Sequence, residues 1–116
     1  MTPSREGDVV LLPFPFTDLR TIKQRPALVV STAAFNTRQH DVIVVAITSQ
    51  IPPAPSPEDY RLSSEDQRMA GLPKPSLVRC GKLLTIDQRL IRKALGRLPA
   101  ATLQQIRQRV LTLLGS

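Results

Sequence analysis

Apolar residues fall into short dense runs along this chain, each bounded by proline, glycine or polar residues. Val9-Val10-Leu11-Leu12 follows Gly7-Asp8 and is broken by Pro13 and Pro15, which predicts a strand over about residues 8–13. The apolar run Ala27 to Val30 predicts a second strand over roughly Pro26 to Ser31, buried on both faces or set in a small barrel. Asp41 opens the run Val42 to Ile47, which ends in the polar tip Thr48-Ser49-Gln50. A short edge strand is expected at Tyr60-Arg61-Leu62, then a polar turn region to Gly71. Ser76 to Cys80 and Lys82 to Ile86 read as one strand that Gly81 interrupts with a bulge or bend. Asp87 should cap a helical turn.

Two connections stand out. The loop from Pro15 to Gln24 is long for a hairpin, and long loops in compact domains are often functional. In Ile51 to Pro57 four of seven residues are proline and lack a backbone donor, so the segment cannot pair as a strand and should be an exposed loop. From Pro99 onward Leu103, Ile106, Val110, Leu113 and Leu114 recur on one helical face, with Gly115 as a natural stop. Arg92 to Leu98 is ambiguous, its first half favouring helix by propensity. The sum is a mainly β chain with a C-terminal helix. It predicts one domain spanning 1–116, a strongly bent antiparallel sheet or partly open barrel.

Charge sharpens this picture. The 116 residues carry a formal net charge of +7, placed unevenly: residues 1–60 hold five Lys/Arg against six Asp/Glu, and residues 61–116 hold eleven against three. A polyanionic partner, nucleic acid or an acidic protein segment, suits the basic half. With three Phe, one Tyr and no Trp, base stacking is not the expected grip on nucleic acid, and phosphate contacts are. The only cysteine, Cys80, and the only histidine, His40, leave no internal disulfide and no zinc constellation. Cys80 reads as a small buried residue and His40 as a surface one. No apolar run approaches the roughly 20 residues of a membrane span, and the start lacks a signal-peptide pattern, so a cytoplasmic location is expected.

There is no Gly-rich phosphate loop, helical zinc-binding pair or Gly-x-Ser-x-Gly elbow. The remaining chemistry sits at strand ends, in Arg25, Thr48, Ser49, Gln50 and Arg79. Pro26 pushes Arg25 away from helical geometry, so its guanidinium is expected on an extended elbow at the start of the second strand, suited to an anion.

Gly7-Asp8-Val9-Val10, Pro13-Phe14-Pro15-Phe16-Thr17-Asp18, Arg25-Pro26-Ala27-Leu28-Val29-Val30, Ala46-Ile47-Thr48-Ser49-Gln50, Ser76-Leu77-Val78-Arg79 and Thr85-Ile86-Asp87 resemble, in order and spacing, the MazF/PemK (Kid-like) family of toxin ribonucleases. The likeness spans nearly the whole chain, including Ala33-Ala34-Phe35-Asn36. It implies a small SH3-like barrel with a terminal helix, a strand at residues 92–98, and a symmetric homodimer. It also implies a metal-independent, cofactor-free endoribonuclease that cuts single-stranded RNA by attack of the 2′-hydroxyl. By motif, Arg25, Thr48 and Arg79 take the catalytic positions, and Asp18, Lys23, Gln24, Ser49 and Gln50 the RNA-binding ones. A cognate antitoxin is the implied protein partner, with operator DNA reached only through that complex and no membrane involved. One departure is Gly81, where several members carry a carboxylate proposed as a base: either the base is dispensable, or Asp18 or another group substitutes, or activity is reduced. Two other readings of the same fold are a non-catalytic toxin that poisons a protein such as a topoisomerase, and an inactive relative that binds antitoxin and operator DNA as a regulator.

Overall fold

The computed structural model describes residues 3–15 and 23–115. Six strands and three α-helices follow in the order β1 (Asp8–Phe14), β2 (Lys23–Val29), α1 (Ala33–Gln39), β3 (Asp41–Thr48), β4 (Tyr60–Arg61), α2 (Ser64–Met69), β5 (Leu77–Asp87), β6 (Lys93–Arg97) and α3 (Ala100–Leu113). A single 3-10 turn, Gln88–Leu90, joins β5 to β6, and the Asp87 carboxylate caps it by accepting the Arg89 N–H. The strands form one antiparallel sheet in the order β4-β5-β3-β2-β1-β6, curled into a half-barrel.

Both faces of this sheet are buried. Val9, Leu28, Val45, Ile47, Val78 and Cys80 face inward against Leu103, Ile106 and Val110 of α3. Val10, Leu12, Phe14, Ala27, Val29, Val42, Val44 and Ala46 line the opposite face, covered in part by Leu84, Ile86 and Ile91. Alternation of side chains along each strand separates the two sets, which is why the central strands read as unbroken apolar runs. The bulge expected at Gly81 is present. Val45 pairs with Leu83 but Ala46 with Arg79, so β5 spends three extra residues, Cys80 to Lys82, against none on β3.

Several expectations change. β2 begins at Lys23, not Pro26, so Arg25 lies inside a strand, opposite Leu12 of β1. The ladder to β3 starts at Ala27 opposite Ala46, just past the proline that cannot donate. The polar turn region after β4 contains α2, nucleated by Ser63, whose hydroxyl accepts the Asp66 N–H at 3.1 Å, with Glu65 and Asp66 in the first turn complementing the helix dipole. Residues 93–97 are strand, as the family resemblance implied and against their helical propensity, because β1 offers them a paired edge. At the end of α3, Leu113 and Leu114 are 43% and 67% exposed, so the predicted core face stops at Val110.

Two glycines close the half-barrel where no ladder does. A Cβ on Gly96 of β6 would stand 2.3 Å from the Met69 carbonyl oxygen at the end of α2, and one on Gly71 would stand 2.0 Å from the carbonyl oxygen of Leu95. Backbone touches backbone along this seam, which only glycine permits.

Candidate active site

The β2·β3 register sets Ala27 opposite Ala46, and alternation puts Arg25, two residues before Ala27, and Thr48, two residues after Ala46, on the same face as that pair. On the other side of β3, Ala46 faces Arg79 and Thr48 faces Leu77. Directly opposed residues of an antiparallel pair share a face. Arg25, Thr48 and Arg79 therefore lie on one face, at one end of three neighbouring strands, around the small side chains of Ala27 and Ala46. Lys23 belongs to the same face, two residues before Arg25 and opposite Phe14. Arg25, Thr48 and Arg79 are each half-buried, and Nε of Arg25 is withdrawn from solvent.

Thr48 holds its hydroxyl in a defined role. Its Oγ1 accepts the Gln50 N–H at 3.1 Å, which leaves the hydroxyl proton to be donated elsewhere. An alcohol so arranged is a hydrogen-bond donor to an incoming oxygen, not a base. Ser49 and Gln50 are exposed just beyond β3. Gln24 pairs with Pro13 and points to the opposite face from Arg25, so it is not brought to this cluster. Asp18 lies outside the described residues.

Two residues that sequence reasoning passed over join the face. Tyr60 pairs with Val78, and Arg61 with Leu77, so Arg61 extends the row that runs from Arg25 through Thr48 and Leu77 to the edge of the sheet. Arg61 is exposed and makes no ion pair among the described residues. Asp59, immediately before β4, puts Oδ2 3.4 Å from Nε of Arg79. The signal for both was available. Tyr60 and Leu62 are the apolar residues of this edge strand, so alternation assigns 59 and 61 to the other face.

His40 and Cys80 stay apart from this face, as expected. His40 ends α1 in a left-handed conformation at φ 60°. Cys80 faces the inner core, where burial and the nearby Asp59 carboxylate push its thiol up to about 11, so it is a poor nucleophile. A concavity of about 770 Å³ between α1 and the 3-10 turn is lined by Asn36, Thr37, His40, Asp87, Gln88 and Arg89. Its polar groups are committed to the fold: Gln88 donates to the carbonyls of Asn36 and Asp41, and Asn36 to that of Ser4. Arg89 holds the Asp87 carboxyl below the usual carboxylate range. Among the described residues no three His, Cys, Asp or Glu side chains gather into a metal site, and no helix is long and apolar enough to cross a membrane.

Among the described residues, three of the eleven cations of the second half pair with acids of the first. Arg79, Arg97 and Arg107 pair with Asp59, Asp8 and Glu6. Lys23 and Arg25, two cations of the candidate face, come from the first half, which has no basic excess.

Comparison with known proteins agrees with this architecture. MazF (Form-I) from Deinococcus radiodurans superposes with a TM-score of 0.77 at 26% identity, covering 98% of each chain. The MazE-MazF complex (Form-II) from the same organism gives 0.74 at 26% identity over 97% of this chain and 96% of that one. An endoribonuclease in complex with its cognate antitoxin, from Mycobacterial species, shares the fold at a TM-score of 0.75 and 24% identity, over 97% and 95% of the two chains. No curated protein sequence matches. Residues 5–114 match the family model described as PemK-like, MazF-like toxin of type II toxin-antitoxin system. With nearly its whole length inside that match, the chain belongs to the MazF/PemK family of toxins of type II toxin-antitoxin systems.

Proposed function

We propose that this toxin is a metal-independent endoribonuclease that cuts single-stranded RNA with the RNA's own 2′-hydroxyl. The observation that carries this reading is the convergence of Arg25, Thr48 and Arg79 on one face of three adjacent strands. Attack of the 2′-oxygen on phosphorus forms one P–O bond and breaks the bond to the 5′-oxygen; the 2′-hydroxyl gives up its proton, the departing 5′-oxygen takes one from water, and a 2′,3′-cyclic phosphate and a 5′-hydroxyl remain. Negative charge concentrates on the non-bridging oxygens in the transition state, where fixed guanidinium groups stabilise it most. Arg25 and Arg79 supply that charge, each able to grip two oxygens at once. Thr48 donates a hydrogen bond from its hydroxyl to the phosphate. Asp18 is the carboxylate that the sequence offers for the 2′-hydroxyl proton, since an arginine does not deprotonate. Lys23, Ser49 and Gln50 hold the flanking nucleotides.

The natural restraint on such a surface is an acidic antitoxin segment. The Deinococcus relative was solved as a MazE-MazF complex, and cations on this face suit a disordered acidic peptide that orders as it binds. Such a peptide competes with RNA, and operator DNA is reached through the complex. A homodimer is the proposed assembly.

The test is incubation of purified protein with long single-stranded RNA in EDTA. Fragments with cyclic-phosphate ends are expected, and 2′-deoxy or 2′-methoxy sugars at the cut site should block the reaction. Cleavage of those substrates at the rate of RNA would remove the proposed mechanism, and no cleavage of RNA at all would favour the two non-catalytic readings, a toxin that poisons a protein target or a regulator that binds antitoxin and operator DNA.

A further inference from the structure

Asp59 is unlike the other acidic residues in its setting. Its side chain is 4% exposed, yet it contacts a guanidinium on the candidate face, with Oδ2 3.4 Å from Nε of Arg79. Burial of a carboxylate is costly unless it is held and paired. Here it is both. Oδ2 accepts the Ser56 N–H at 3.3 Å, and the Asp59 N–H returns a bond to the Ser56 carbonyl at 3.0 Å, so the carboxylate ends a tight turn closing the proline-rich loop. The main chain at the same point is clamped from α3. Arg109 donates to the carbonyls of Pro57, at 3.2 Å, and of Asp59, while its guanidinium lies 5.1 Å from the centre of the Tyr60 ring. Two independent supports thus fix a carboxylate that solvent barely reaches.

We propose that Asp59 is the positioning residue of the active face: it acts through Arg79, holding the guanidinium by its Nε edge so that the terminal Nη1/Nη2 fork is presented to the scissile phosphate. This inference rests on the ribonuclease reading of the face. The geometry separates positioning from direct chemistry. A carboxylate so enclosed and already engaged by Ser56 and Arg79 is badly placed to take a proton from a substrate hydroxyl. It can, however, remove the rotational freedom of a long side chain, and a fixed fork aligns two donors at once. An arginine without such a brace would have to be ordered by each substrate afresh.

The experiment is a double-mutant cycle on cleavage in EDTA, comparing wild type, Asp59→Asn, Arg79→Ala and the double variant, each with its melting curve. Asp59→Asn keeps the volume and an acceptor for Ser56 but loses the charge. It is expected to lower kcat about tenfold, the scale of a small misplacement of the guanidinium once its ion pair is lost, with KM within about twofold. In the Arg79→Ala background the same change should cost nothing further, because the residue it acts through is gone. Losses that multiply across the cycle, or an Asp59→Asn enzyme with unchanged kcat, overturn the proposal while leaving the ribonuclease reading intact. A wild type that cuts no RNA overturns both. Should Asp59→Asn not fold, the wild type decides by the Arg79 Nε–H resonance in the arginine-labelled protein. A slowly exchanging, shifted signal is expected, and one averaged with those of solvated arginines overturns the brace.

Discussion

Arg79 stands directly across the β3·β5 ladder from Ala46 only because the register slips between Val45 and Ala46. Had the pairing of Val45 with Leu83 continued unbroken, Ala46 would face Lys82 and Arg79 would fall on the opposite side of the sheet. An odd number of inserted residues flips every side chain beyond the insertion. The three-residue bulge around Gly81 is therefore what gives Arg79 to the same face as Arg25. Cys80 and Val78, on the other parity, go to the inner core.

Arg25 should be the costliest single loss to chemistry. Arg25→Ala is expected to slow single-turnover cleavage by about two to three orders of magnitude, as removal of one preorganised donor to a developing oxyanion does. Arg25→Lys should recover little of this, because a point charge lacks the bidentate fork. Circular dichroism and melting near those of wild type are needed for the comparison, and near-normal turnover by Arg25→Ala would leave that residue a half-buried structural arginine.

Arg61 should bind without catalysing. Its place at the far end of the Arg25, Thr48, Leu77 row suits a phosphate away from the cut. Arg61→Ala is expected to raise KM several-fold, keep kcat, and reduce the slope of log affinity against log salt by about one. An unchanged salt slope would remove Arg61 from the RNA track.

The glycine seam should be intolerant in a graded way. Gly96→Ala forces a Cβ to within 2.3 Å of the Met69 carbonyl oxygen and 2.5 Å of the Ala70 carbonyl carbon, and is expected to cost about 1–3 kcal/mol or more in a urea titration. Gly81→Ala is the control, since its nearest neighbour would be the Leu113 side chain at 3.8 Å. Equal stability of the two variants would contradict the seam.

Cys80 gives a pH signature. Its thiol rises from 9.0 to about 11 in the folded chain, chiefly by burial, so the native state holds this proton more tightly than the unfolded one. The stability tied to it is complete below pH 9 and is lost between pH 9 and 11, by about 2–3 kcal/mol. Urea titrations across that range should show the decline in wild type and less of it in Cys80→Ala. A thiol reagent near pH 8 should label the native protein no faster than it opens.

Much of this was legible along the chain because central strands advertise themselves. Val42 to Ile47 and Ala27 to Val30 are apolar on every residue, which only a sheet buried on both faces needs. Gly81 announced a bulge, and Asp87 a cap. What local reading missed depends on partners distant in sequence. The bounds of β2 depend on β1, which pairs as far as Lys23, and residues 93–97 became strand because Asp8 to Leu11 lay open beside them. α2 was missed although Ser63, with Asp66 three residues on, is a capping signal, because the segment carries few apolar positions to show a helical period. Asp59 looked like loop until β4 put it next to Arg79.

The buried polar network around Gln88 has a consequence for the order of assembly. Its bonds tie residue 88 to Ser4, Asn36 and Asp41, across sequence separations of 84, 52 and 47 residues. Closing such loops carries an entropic cost until the intervening sheet has drawn both ends together, so these bonds are expected to form after the folding transition state. Gln88→Ala should therefore leave the folding arm of a chevron almost unmoved and raise the unfolding rate by nearly the whole loss in stability. On this expectation the network is a latch: it adds little to the speed at which the half-barrel forms, and sets how long Ser4, α1 and the end of β5 stay together once it has.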